Sequence, residues 1–408
     1  MLLISEVIVM EKVTVIDSLM GAGKTTYAID RINKASPLER FIYVTPFIAE
    51  IERVIAAADK RHFVQPTNNV EGGRKLTSLK RLIEDGVDIA TTHALFETAD
   101  DELRDLLRVN NYTLILDEVI NVIDKAGVSP SDMRILLDKG FVEMECNRVV
   151  WTAKEHEYEY GVFDRIKLLA QAGTLFYHRE KYLIYAFPPS IFETFSDVFV
   201  LTYLFDAQLM KYYFDLYSIP YELKAVRDGE IVPYDAKREP RAELLSLMDI
   251  YEGPLNDCGN TNTAFSGRWF QRRDKRDELT GIKSNMYTYI RSHAKAKAGE
   301  VLWTTLKARQ HDLKGKGYTK GFLALNARAT NEYADRSTLM YCYNRFMNPI
   351  ETSFFQDNGL TVNETKLALS DMLQWIWRSQ IRNSKPIKLY VPAKRMRELL
   401  YAWAKYEI

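Results

Sequence analysis

Residues Val13–Ala28 read VTVIDSLMGAGKTTYA. The β-branched run Val13, Val15, Ile16 has the pattern of a buried strand. A small-residue loop from Ser18 to Thr25 follows, and then an apolar periodic segment that reads as a helix. Strand, glycine loop and helix in this order are the setting of a phosphate-binding loop. Gly21 and Gly23 let backbone N–H groups turn toward a polyphosphate, at a helix N-terminus whose dipole favours anions. Lys24 is placed to reach the β- and γ-phosphates, and the Thr25 hydroxyl to serve Mg2+. Nucleotide contacts are therefore expected from Ser18, Gly21, Ala22, Gly23, Lys24, Thr25 and Thr26. The competing reading, a glycine-rich turn with an incidental lysine, does not account for the flanking strand and helix.

The second signal is Tyr112–Glu118, YTLILDE, an apolar strand ending in paired carboxylates. This is the usual partner of a phosphate loop. Asp117 would hold Mg2+, directly or through water, and Glu118 would polarise the attacking water.

Length and composition fit this reading. A chain of 408 residues accommodates two domains, and its apolar and aromatic content is that of a water-soluble globular protein. No apolar run approaches the ~18 residues of a membrane span, and the opening MLLISEVIVM is too short, and carries Glu6, for a signal peptide. Cys146, Cys258 and Cys342 lack metal-ligand spacing and a disulfide framework, which points to a reducing, cytoplasmic compartment. The zero net charge conceals an asymmetry. From Tyr221 onward there are 31 Lys and Arg against 22 Asp and Glu, and before it 24 against 33. A basic second half is consistent with a polyanionic partner, or with complementary charge between two touching domains.

Further strands are expected at Phe41–Val44, Val87–His93, Val149–Thr152 and Val198–Thr202, alternating with helices, which argues a parallel sheet covered on both faces. Residues 154–196 read as an elaboration of this first domain. Pro220 breaks the helical pattern, so the boundary is placed there, giving domains 1–219 and 220–408. A basic helical insertion is expected over about 238–298. In it Arg272, Arg273, Lys275 and Arg276 interleave with Trp269, Phe270, Tyr287 and Tyr289. Charge with stacking-capable rings suits a single strand, although amphipathic helices with core-facing rings give the same pattern. Val301–Thr305, Gly321–Leu325 and Ile387–Val391 read as strands of a second sheet. Ala368–Gln380 reads as a helix, with Gln374, Arg378 and Arg382 spaced by four along one face.

Taken in order, these motifs resemble the superfamily 2, DEAD-like helicases, and the chain resembles the compact versions encoded by bacterial viruses. SLMGAGKT (Ser18–Thr25) is similar to motif I in the form helicase-type ATPases carry, and LILDE (Leu114–Glu118) to motif II. VTP (Val44–Pro46) and TTH (Thr91–His93) are similar to nucleic-acid-contacting motifs. LTYLF (Leu201–Phe205) stands where the coupling motif ends a strand, with Tyr203 where Ala is usual. NARATNEY (Asn326–Tyr333) resembles motif V, and QWIWRSQIR (Gln374–Arg382) resembles motif VI, with Trp377 in place of Gly. The resemblance implies an α/β fold of two RecA-like domains, parallel sheets flanked by helices, with the ATP site in the cleft between them. It implies Lys24, Glu118, Arg378, Gln374 and Arg382 as catalytic, Arg378 being the better arginine finger and borne on a helix over 366–382. It implies Thr25 and Asp117 around Mg2+, and Thr45, Thr91, Thr92, Arg328 and Thr330 on nucleic acid.

The function so implied is an ATP-driven helicase or translocase acting on DNA, with single-stranded DNA as track. It would work in phage replication, recombination or repair, in the host cytoplasm and beside other replication proteins. Two alternatives stand beside it. One is an ATP-dependent switch or loader that binds nucleic acid without unwinding. The other is a DNA-packaging motor, disfavoured because the second half offers arginine-bearing helices rather than converging carboxylates.

Overall fold

The structure, a computed structural model, describes residues 13–69, 74–145, 148–154, 156–159, 161–179, 182–272, 276–325 and 332–408. The chain forms two compact units. The first holds the chain up to Ser18, Ala22–Tyr234 and Asn348–Val362; the second holds Leu19–Gly21, Asp235–Met347 and Asn363–Ile408.

The first unit is organised by an eight-stranded sheet. Its strands are β1 (Val13–Asp17), β2 (Arg40–Thr45), β3 (Phe63–Val64), β4 (Asp88–Thr92) and β5 (Tyr112–Asp117), then β11 (Asp197–Thr202), β12 (Tyr221–Arg227) and β13 (Glu230–Pro233). They lie in the order β13-β12-β1-β11-β5-β2-β4-β3, all parallel except the β12–β13 hairpin. Two cores explain the apolar runs. Ile16, Phe41, Tyr43, Ala90, Ile115 and Leu201 pack on one face with Ala28, Ile29 and Ile32 of the helix Lys24–Lys34 and with Ile51 and Val54 of the helix Ile48–Ala57. Val15, Ile42, Val44, Ile89, Leu114, Leu116 and Val200 pack on the other with Leu79, Ile83, Leu103 and Leu107. Successive strand residues alternate between the two faces, so a strand buried on both sides is apolar throughout.

Between β5 and β11 the chain builds a separate antiparallel sheet from β6 (Ile123–Lys125), β7 (Val142–Glu145), β8 (Arg148–Trp151), β9 (Leu175–His178) and β10 (Tyr182–Ala186), in the order β6-β10-β9-β8-β7. The elaboration thus begins at Ile123, well before residue 154, and Val149–Trp151 belongs to it rather than to the central sheet. The first sheet also runs past residue 219, because Tyr221–Lys224 pairs with Val13–Ile16 and the Val13 N–H donates to the Pro220 carbonyl at 2.9 Å. The helix Leu209–Leu216 ends before Pro220, which leads directly into β12. The helix Pro349–Asp357, late in sequence, also belongs to this unit: Phe354 and Phe355 enter its core, and Arg179 forms a two-pronged ion pair with Asp357 at 2.7 and 2.5 Å.

The second unit has a four-stranded parallel sheet in the order β14-β17-β16-β15, from β14 (Met248–Ile250), β15 (Val301–Thr305), β16 (Thr338–Cys342) and β17 (Ile387–Tyr390). Gly321–Leu325 contributes a single bridge, Trp303 to Phe322, rather than a strand. The helix Glu364–Ile376 buries Leu369, Met372, Leu373 and Trp375. The Trp375 indole N–H donates to the Leu323 carbonyl at 3.2 Å. That helix ends before the predicted arginine face is complete. Trp377 and Arg378 form its terminal turn, Ser379 caps a separate 3-10 helix Gln380–Asn383, and Arg382 lies on that second piece. Gln374, Arg378 and Arg382 therefore do not share one helical face. In the basic region Trp269, Phe270 and Tyr289 are core residues, and Tyr287 alone of the four predicted rings is exposed. Of the two readings the sequence left open there, core-facing rings are the one found for Trp269, Phe270 and Tyr289.

Candidate nucleotide site

Parallel strands place their C-terminal ends along one edge of the first sheet, where ligands of such sheets bind. Asp17 is level with Thr202, Leu201 with Asp117, and Thr45 with Thr92. From this edge the chain leaves β1 into the glycine loop. Gly21 and Gly23 take φ of +81° and +90°, in the left-handed region that a side chain would strain. Gly23 is the N-cap of the helix Lys24–Lys34 and supplies no side-chain partner for the first-turn N–H groups. Those groups, in the positive end of the helix dipole, suit an anion. The Lys24 ammonium donates to the Ser18 carbonyl at 2.5 Å.

The Thr25 hydroxyl lies 3.4 Å from Asp117 Oδ2, so β5 and the glycine loop bring the two predicted metal-holding side chains together. A hydroxyl and a carboxylate are hard oxygen donors, which fits Mg2+, an ion that fills the rest of its shell with water and substrate phosphate. The same Oδ2 accepts the Tyr43 hydroxyl at 2.7 Å. Burial pushes the Asp117 carboxyl up to about 6, the Tyr43 bond pulls it back, the neighbouring Glu118 charge raises it and Lys24 lowers it. The Tyr43 phenol is itself held well above its ordinary range by burial and by Asp117, so it remains a donor. Glu118 sits at φ +68°, a strained conformation for a side chain of that size, with its N–H on the Leu201 carbonyl at 2.9 Å. His93 Nε2 is 3.1 Å from the Asp117 carbonyl, so it carries the proton and donates.

The predicted nucleic-acid contacts fare differently. Thr45 and Thr91 are only 0% and 1% exposed, buried at strand ends, and their side chains offer no surface to a strand. Thr92 is partly exposed and caps the short helix His93–Phe96, accepting the Leu95 N–H at 3.4 Å. Arg328 and Thr330 lie outside the described residues. Ser18 is a structural member of the loop: its hydroxyl accepts the Val226 N–H at 2.9 Å. Gln374, Arg378 and Arg382 belong to the second unit.

Two site residues escaped the sequence reading. Tyr43 looked like one more apolar member of β2, although a phenol inside a buried parallel strand needs a partner for its hydroxyl. Asp17, 2% exposed at the end of β1, was the other; an acid closing an apolar strand just before the glycine loop was the available signal.

The profile of the YonV middle domain matches residues 123–185, the antiparallel insertion, and that of the YonV C-terminal Rossmann-like domain matches 242–404. The SPbeta prophage-derived protein YonV of Bacillus subtilis (strain 168) is 41% identical over 97% of this chain and 99% of its own length. The chain belongs to the YonV family. Its fold is similar to that of S. tokodaii Xpd4, at a TM-score of 0.54 and 12% identity over 98% of this chain and 94% of that one. An apo XPD structure aligns at a TM-score of 0.48 and 12% identity over 97% of this chain and 95% of its own. This chain thus shares the α/β fold of Xpd4, with parallel sheets flanked by helices, and has a prophage-derived relative. No helix among the described residues is long and apolar enough to cross a membrane.

Proposed function

We propose that this chain is an ATP hydrolase that couples nucleotide turnover to movement along nucleic acid, with single-stranded DNA as its track. The observation that carries the reading is the convergence, at one sheet edge, of the Lys24 and Thr25 loop with Asp117 and a strained Glu118. Lys24 and the first-turn N–H groups bind the phosphates. Thr25 and Asp117 hold Mg2+, which when bound offsets phosphate charge. Glu118, turned out of the strand by its positive φ, orients the water for in-line attack on the γ-phosphate. Arg378 is the candidate arginine finger of this reading. We place this activity in phage DNA replication, recombination or repair in the host cytoplasm, beside other replication proteins; the prophage-derived relative supports the phage part of that reading.

The test is steady-state ATP hydrolysis with and without single-stranded DNA, single-stranded RNA and duplex. Stimulation by single-stranded DNA, abolished in Lys24→Ala and reduced at least about a hundredfold in Arg378→Ala, is expected. Hydrolysis indifferent to nucleic acid would refute the motor.

A further inference from the structure

The turn that follows β11 is held in an unusual way. Both oxygens of the buried Asp17 carboxylate accept backbone N–H groups, Leu204 on one and Phe205 on the other, each at 2.8 Å. Leu204 lies at φ +54°, a left-handed conformation that costs a branched side chain strain. Upstream in the same segment the Thr202 carbonyl accepts the Ser18 N–H at 3.1 Å, and the Leu201 carbonyl accepts the Glu118 N–H. Residues 201–205 therefore touch the base of the glycine loop on one side and the backbone of Glu118 on the other. β11 lies between β1 and β5, so among the described residues no other strand joins these two sites directly.

We infer that Asp17 is a positioning residue: its carboxylate locks the strained 204–205 turn to the end of β1 and so couples the glycine loop to the placement of Glu118. The inference rests on the nucleotide-hydrolysis reading. The physical argument is one of rigidity. A two-pronged bond to a buried carboxylate is among the stronger non-covalent links, and here it closes on backbone groups, not on mobile side chains. Without it Leu204 is free to relax out of the left-handed region. The carbonyls of residues 201 and 202 then shift with it, and Glu118 loses its fixed relation to the phosphates. Hydrolysis suffers more than nucleotide binding, which depends on Lys24 and the first-turn amides of its helix and not on Glu118.

The experiment is ATP hydrolysis by the full chain carrying Asp17→Asn, with nucleotide binding measured separately by a fluorescent ATP analogue. Asp17→Asn keeps one acceptor oxygen and turns an N–H toward the other donor. The expected result is kcat lower by about ten- to a hundredfold, with analogue affinity within about threefold of the parent. Adding Leu204→Gly removes the strain, since glycine takes the left-handed conformation freely, and is expected to restore kcat to within about threefold. A purely structural role would instead lower the melting temperature and leave kcat of the folded protein unchanged. That outcome, or a double variant no faster than Asp17→Asn, overturns the inference. Should Asp17→Asn not fold, Asp17→Glu displaces the same turn by one methylene and is judged by the same split. An active parent with an inactive Lys24→Ala and a fully active Asp17→Asn sinks this inference alone. A parent that does not hydrolyse ATP sinks the nucleotide-hydrolysis reading, and this inference with it.

Discussion

Replacing Tyr43 by phenylalanine isolates one bond of the site. The ring stays in its fully buried slot beside Phe41 and Ile115, and only the hydroxyl that donates to Asp117 at 2.7 Å is lost. Asp117 titrates at about 6 in the folded protein against 3.8 for a free aspartate. Its folded value is raised, so its favourable contribution is complete below about pH 4 and is lost as pH rises through 6. That amounts to at most about 3 kcal/mol, a ceiling because the carboxylate is partly open to solvent. A hydrogen bond to a charged acceptor contributes about 1.5–3 kcal/mol. Without it the carboxyl rises by a further one to two pKa units, roughly, and the ionised form is destabilised by that amount. Tyr43→Phe should therefore cost less than about 1 kcal/mol at pH 5 and about 2 kcal/mol at pH 8.5. The assay is urea unfolding, in EDTA and without nucleotide, of parent and variant at both pH values. An equal cost at the two would show that the phenol does not stabilise the charged carboxylate, and the reasoning would fail.

Two other perturbations test the surroundings. Burial raises the Glu97 carboxyl from 4.5 to about 7, against the opposing Asn121 N–H and the Arg165 charge. Its raised folded value makes its contribution complete below about pH 4.5 and lost as pH climbs through 7. Glu97→Gln should accordingly be neutral at pH 4.5 and stabilising by about 1–2 kcal/mol at pH 8.5, read from denaturant midpoints. Phe355, fully buried against Tyr212 at 5.8 Å between ring centres, ties the helix Pro349–Asp357 into the first unit. Phe355→Ala should cost about 3–5 kcal/mol and speed proteolysis of that helix, and an unchanged digestion rate would contradict the anchoring.

What could be read from the chain alone was local chemistry. The loop around Lys24, the strand ending in Asp117 and Glu118 and the alternation of strands with helices are each set by a few neighbouring residues, because a phosphate cradle and a buried strand have short, strict patterns. Tertiary structure decided everything that depends on what comes to lie beside what. Thr45 and Thr91 stand at strand ends, as expected, yet the folded chain buries them. Trp269, Phe270 and Tyr289 have the spacing of a stacking platform and serve a core, since periodicity reports which residues share a face and not whether that face is covered. The spacing of Gln374, Arg378 and Arg382 promised a face, but it crosses the end of a helix at Ile376. Pairing distant segments gave β12 and the helix Pro349–Asp357 to the first unit. It also set the Tyr43 hydroxyl on Asp117 and the Asp17 carboxylate on the turn at Leu204. Those contacts join residues 74 and 187 positions apart, and their partners are chosen by sheet order, which no short stretch of sequence encodes.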